Sequence, residues 1–186
     1  MLYAVDSVAG VTCPDNIMYV VCDDSTIRLY NTDTLSPLDV VINITGMKHS
    51  RDIVVCRHDR QLYVADYYYC IWRVSVDDHS YVKWLTTQSS TDTFHVDKLS
   101  LTSRRLLVTS HQPRTLRHYN TVDSQLCHIE LPRYVQALWH AVETTRQTFV
   151  VSHWGTSQYV LQHAVSELFY LSQLWIRLSN NICAVV

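Results

Sequence analysis

Glycine is scarce in this sequence. Gly10, Gly46 and Gly155 are the only three in 186 residues. Turns must therefore draw on Asp, Asn and Ser, whose short side chains bond nearby backbone amides. There is no Gly-x-Ser-x-Gly elbow and no Cys/His nucleophile pattern, which removes two common hydrolase signatures. The six cysteines, Cys13, Cys22, Cys56, Cys70, Cys127 and Cys183, include no Cys-x-x-Cys pair. Zinc and dithiol motifs are thus not indicated, and buried free thiols in a reducing compartment are expected. Ten histidines contain no His-x-x-x-His spacing, so no metal site and no cofactor is implied. Charge of one sign is also missing in bulk: the net charge is −2 with no block of like charges. That argues against an extended nucleic-acid footprint. No stretch has the length of an uncharged membrane span. Met1–Gly10 has neither a basic start nor an apolar segment of signal-peptide length, so a cytoplasmic location is expected. Asn43-Ile44-Thr45 fits the glycosylation pattern, which carries little weight without such a signal.

What the sequence does have is short strand-forming runs that recur. Hydrophobic residues make up 47% and charged residues 17%, the balance of a folded domain rather than a disordered chain. Leu62-Tyr63-Val64-Ala65 is one such run, interrupted by Asp66–Cys70 and resumed by Ile71–Val74. Met18-Tyr19-Val20-Val21 lies 44 residues before it and Leu106-Leu107-Val108-Thr109 lies 44 after. Thr148-Phe149-Val150-Val151 follows 42 residues later. The second strand repeats as Ile27–Tyr30, Ile71–Val74 and Leu116–Tyr119, and a polar turn repeats at Tyr30–Asp33 and Tyr119–Asp123. The register slips by one residue in the third copy, which an insertion in the Ser110–Thr115 turn explains. A period of about 40–45 residues with several strands per unit reads as a β-propeller blade. Helical repeats share the period, but runs of four β-branched and aromatic residues are too short for repeat helices.

Four blades are expected within residues 1–164, approximately 2–44, 45–87, 88–131 and 132–164. Residues 165–186 form an atypical C-terminal tail. There Val165, Leu168, Phe169, Leu174, Trp175 and Leu178 fall near helical spacing, although a strand reading stands beside it.

Arg51-Asp52-Ile53-Val54-Val55, Gln61-Leu62-Tyr63-Val64-Ala65-Asp66 and Ile71-Trp72-Arg73-Val74 together resemble a blade of the NHL-repeat propeller family. The resemblance is strongest over the second blade and weakens towards the fourth. The TolB-like and YWTD-related propellers are similar, but Tyr63–Asp66 fits the NHL pattern better. Tyr67-Tyr68-Tyr69 stands where that family usually carries Gly-Asn. The resemblance implies an all-β, six-bladed propeller. Four blades of that type make it incomplete, because a propeller removes its exposed edges by closing its ring. Self-association through open blade edges is one consequence.

In propellers, the turn between the second and third strands lies on the face that usually binds ligands. Here it carries Asp23 and Asp24, then Tyr67, Tyr68 and Tyr69, then His111 and Arg114, then His153 and Trp154. Aromatic and Arg side chains are the usual anchors of protein interfaces. The expected function is accordingly a non-catalytic scaffold for protein–protein interaction. Its partner is a protein, with no membrane attachment and nucleic acid disfavoured. Arg104, Arg105, Arg114 and Arg117 tint the third blade basic, but nearby acids dilute them. The alternatives are a calcium-dependent lactonase or phosphotriesterase-like hydrolase and a non-functional fragment. For the hydrolase, Asp52, Asp97 and Glu143 near the inner strands are the oxygen ligands on offer.

Overall fold

The computed structural model describes residues 7–68, 70–89, 92–102, 105–110, 115–122, 124, 126–130, 138–143, 148–153, 159–163 and 168–169. They form strands and turns, with no helix among them. The first sheet comprises β1 (Val8–Thr12), β2 (Ile17–Cys22), β3 (Thr26–Asn31) and β4 (Pro37–Asn43). The second comprises β5 (Ser50–Cys56), β6 (Gln61–Asp66), β7 (Cys70–Ser75) and β8 (Tyr81–Thr86). A small hairpin of β9 (Gln88–Ser89) and β10 (Asp92–Thr93) follows, which the sequence pattern did not signal. The third sheet holds β11 (Lys98–Leu101), β12 (Arg105–Thr109), β13 (Thr115–Asn120) and β14 (Leu126–Glu130). The fourth holds β15 (Leu138–Glu143), β16 (Thr148–His153), β17 (Tyr159–His163) and the short β18 (Leu168–Phe169). Every four-stranded sheet is an antiparallel meander in chain order. β18 comes from the segment that looked unlike an outer strand, and it pairs with β17 through two residues.

The apolar residues of β6 run continuously because both of its faces are covered. Leu62 and Val64 enter a core shared with Tyr19, Ile27 and Leu29 of the first sheet. Tyr63 and Ala65 point the other way, into a core with Leu99, Leu106 and Val108 of the third. Strand periodicity of two makes this division automatic. β12 repeats it, with Leu107 facing Leu138, Ala141 and Val151 of the fourth sheet. The hydrophobic core thus lies in layers between successive blades. Phe94 and Val96, from the connection before β11, fill the second layer. On the first sheet, Val11 and Val41 are exposed.

Pairing registers carry the repeat into three dimensions. Met18 pairs with Tyr30 and Leu62 with Val74, each twelve residues apart, whereas Leu106 pairs with Tyr119, thirteen apart. The extra residue falls in the turn after β12, as the slipped sequence register requires. The turn after the third strand is also one structure used three times. Leu35, His79 and Ser124 donate their amides to the carbonyls of Asn31, Ser75 and Asn120. Each also sits at positive φ, 54°, 60° and 58°. The Asn31 side chain accepts from the amides of Asp33 and Thr34, both at 2.9 Å, and Asn120 does the same for Val122.

The expectation that Asp, Asn and Ser would supply this chemistry holds at Asp15, Ser25 and Ser124. It holds also in the turns of Leu35 and His79, where the Asn31 and Ser75 side chains accept backbone amides, although Leu35, Arg60 and His79 themselves take left-handed conformations without glycine. An L-residue there costs roughly 1–2 kcal/mol, less for Asn. Leu35 is 66% exposed, so its side chain has little packing to lose. Leu35→Asn is expected to stabilise by about 0.5–1 kcal/mol, raising Tm by roughly 1–4 °C. Calorimetry checks this, and an unchanged or lower Tm contradicts it.

Candidate functional site

Antiparallel pairing places the start of each inner strand beside the turn that follows the second strand. Three inner strands are irregular at that end. Their registers shift between Val8 and Gly10, Ser50 and Asp52, and Leu138 and His140. A bulge leaves one residue unpaired and re-aims its side chain. Here the released residues are Ala9, Arg51 and Trp139, and all three line one cleft of about 660 Å³ where the blades meet. Asp23, Tyr67, His95, Asp97 and Lys98 complete its functional lining. Lys98 Nζ donates to the carbonyls of Arg51 (3.0 Å) and Ala9 (3.4 Å), so one side chain of the third blade reaches the inner strands of the second and first.

Arg51, Tyr67 and His95 form a layered stack at this cleft. The Arg51 guanidinium lies 4.7 Å from the Tyr67 ring centroid. The Tyr67 and His95 rings stack at 4.5 Å and 24°, with His95 Nδ1 3.3 Å from the Tyr67 carbonyl oxygen. Tyr68 meets Tyr67 edge-on at 5.7 Å and is 47% exposed. Lys48 Nζ sits 5.6 Å from its ring centroid.

Asp66 shapes the turn that presents these tyrosines. Its carboxylate is buried and accepts from the amides of Lys48 (3.2 Å), His49 (3.3 Å) and Tyr68 (3.3 Å). It also accepts from Trp72 Nε1 at 3.3 Å and Cys70 Sγ at 3.6 Å. Burial, with Asp66 adding, pushes the Cys70 thiol up to about 11, a poor nucleophile at neutral pH. Cys22 and Cys56 are likewise buried and in no disulfide, while Cys13 is exposed.

Of the residues singled out by sequence, the cleft brings together Asp23 and Tyr67, with Tyr68 beside them. Asp24 is engaged locally: its carboxylate accepts from the Thr26 amide and hydroxyl and from Arg28. Burial raises that carboxyl, but these bonds together outweigh it and hold it below the ordinary range. Tyr69, His111, Arg114 and Trp154 lie outside the described residues. His153 ends β16 opposite Leu138 instead of occupying the turn, and its side chain is also outside the described set. Arg51, His95, Lys98 and Trp139 escaped the sequence reading as cleft residues. Antiparallel register was the available signal, since it puts the residues at the start of the inner strands on the same face as the chosen turns.

The three carboxylates considered as metal ligands have other partners. Asp52 spends one oxygen on the Ile53 amide and the other on the Leu99 amide, both at 3.0 Å, tying β5 to β11. Burial raises its carboxyl, with those amides and Lys98 opposing. Glu143 accepts from Thr102 and pairs with Arg105, joining the third and fourth sheets. Asp97 is buried. Among the described residues no three His, Cys, Asp or Glu side chains gather as a metal site. Of the basic residues on the third blade, Arg105 is paired with Glu143 and Arg117 is buried over Phe94 at 3.9 Å. No helix among the described residues is long and apolar enough to cross a membrane.

No protein-family profile and no curated protein matches the sequence. Solved structures do share the fold. The WD40 repeats of RRP9 align with TM-score 0.66 and 16% identity, over 86% of this chain and 52% of that one. The structure of U3-55K gives 0.65 and 16%, over 86% and 53%. The computationally designed Ika4 protein gives 0.64 and 9%, over 85% and 92%. The chain therefore spans about half the length of the RRP9 and U3-55K structures. At these identities the likeness establishes architecture, and that architecture is a β-propeller of four-stranded blades.

Proposed function

We propose that this chain is a non-catalytic propeller scaffold that binds a protein partner through the face bearing the β2–β3 and β6–β7 turns. Tyr69, His111, Arg114 and Trp154 join that face by repeat position, whereas His153 closes β16 at the place Asp66 has in β6. The observation that carries the reading is the exposed Tyr68 standing on a stacked Tyr67–His95 base at the rim of the cleft. An exposed, pre-positioned aromatic loses little freedom on binding and offers a large contact area. The propeller fold shared with RRP9 and U3-55K is a rigid scaffold that holds its turns at the surface, where binding residues concentrate. The NHL-like, six-bladed reading and blade divisions near residues 44, 87 and 131 rest on the Gln61–Asp66 and Ile71–Val74 motifs and their spacing.

Tyr68→Ala tests the face. Quantitative co-purification of cellular partners with wild type and variant is expected to show the principal partner reduced at least tenfold, as for an interface hot spot. The urea midpoint should be unchanged, because the ring is half exposed. An unaltered set of partners would remove the face from consideration.

A further inference from the structure

We propose that the cleft receives a short extended protein segment in which an acidic side chain neighbours an apolar one. Arg51 holds the carboxylate and Trp139 supports the apolar group. This deepens the interaction-face reading and rests on it.

Four observations converge. First, Arg51 is exposed and its guanidinium has an aromatic neighbour, Tyr67 at 4.7 Å, but no ion pair among the described residues. The planar guanidinium fork matches a carboxylate in two parallel hydrogen bonds. Stacking on a ring that itself stacks on His95 fixes the fork before a ligand arrives, which lowers the entropy cost of capture. Second, Lys98 Nζ lies 3.0 Å from the Arg51 carbonyl oxygen, so a second cation adjoins the same stretch of β5. Lys98 also faces the Asp52 carboxylate, which leaves Arg51 as the principal anion receptor. Third, Trp139 is 46% exposed on the inner strand of the fourth blade, released by its bulge into the same cleft. Indole is a favoured anchor for an apolar side chain. Fourth, Asp23 and Asp97 also line the cleft. A polyanion such as RNA would meet these carboxylates, whereas a peptide can set one acidic group at Arg51 and pass them with neutral backbone. The cleft volume, about 660 Å³, lies in the range of about 300–1,000 Å³ found for ligand pockets.

The test is selection from a displayed library of random peptides about eight residues long, run on the full chain as wild type, Arg51→Gln, Trp139→Ala and Tyr68→Ala. Fluorescence anisotropy then follows the selected peptides, their Glu→Gln versions and oligouridylate. On wild type the enriched peptides should carry Asp or Glu next to Leu, Ile or Phe. Replacing that Glu by Gln should weaken binding at least tenfold, and Arg51→Gln should erase the difference. Trp139→Ala should weaken every selected peptide by a similar factor. Three results would overturn the proposal: no enrichment, an acidic preference that survives Arg51→Gln, or oligouridylate binding as tightly as the peptides with the same Arg51 dependence. If selection fails while Tyr68→Ala still loses its cellular partner, the cleft assignment falls and the interaction face stands.

Discussion

Asp66→Ala is expected to destabilise the protein by about 3–5 kcal/mol, because several donors lose one acceptor and each buried donor left unmatched costs roughly 1–3 kcal/mol. The donors come from three places: the amides of Lys48 and His49 before β5, the Tyr68 amide in the β6–β7 turn, and the Trp72 indole and Cys70 thiol of β7. The Tyr68 carbonyl also accepts from Cys70 Sγ at 3.6 Å, so that thiol keeps a partner, while the three amides and the indole lose theirs. Asp66→Asn keeps one accepting oxygen but turns an NH₂ towards the remaining donors, so it should recover only part of the loss. Urea unfolding followed by tryptophan fluorescence measures both, and an unchanged m-value would confirm that stability alone moved. A loss below about 1 kcal/mol for the alanine variant would show that water reaches these donors and that Asp66 is not the organiser of the turn. Because the turn carries Tyr67 and Tyr68, the surviving folded fraction should also bind partners more weakly.

Gly10→Ala should be nearly as damaging, for a different reason. A Cβ at position 10 would lie 2.8 Å from both Asp52 Oδ1 and the Ile53 amide nitrogen, and 3.0 Å from Asp52 Cα. Two of these three atoms are backbone of β5, so relief requires the inner strands of the first two blades to separate. Overpacking of this kind costs about 1–3 kcal/mol. Displacing Asp52 also endangers its bond to the Leu99 amide, worth about 1.5–3 kcal/mol for a charged acceptor. Gly46→Ala provides the contrast. Its Cβ would meet only Trp72 ring atoms at 3.6 and 3.8 Å, but its φ is +95°. The penalty there is backbone strain of about 1–2 kcal/mol. Equal midpoints for the two alanine variants would refute the steric account of Gly10. One glycine is needed for closeness and the other for conformation, which explains how a chain with three can still fold.

The sequence by itself determined the blade: its strands, their order and its turn chemistry. Those features are local. Four-residue runs such as Leu62–Ala65 specify strands through composition, connections too short for a crossover impose antiparallel neighbours, and Asn31, Ser75 and Asn120 each rebuild the same turn from their own neighbourhood. Even the one-residue slip between the Tyr30 and Tyr119 copies was legible, because register in a hairpin follows the length of its turn. The tertiary structure decided what lies where the blades meet. Arg51 and Trp139 sit 88 residues apart in the chain and share a cleft only because bulges release both towards it. Lys98 reaches the carbonyls of Ala9 and Arg51 across an approach that no local pattern encodes. Asp52 read as one acidic residue among many, and its half-buried place on β5 against Gly10 of β1 and Leu99 of β11 came from strand proximity. A repeat fixes the unit through interactions within about one blade's length of chain. Bulges and inter-blade distances arise from packing several units at once, so the residues of the candidate site came into view only in the folded chain.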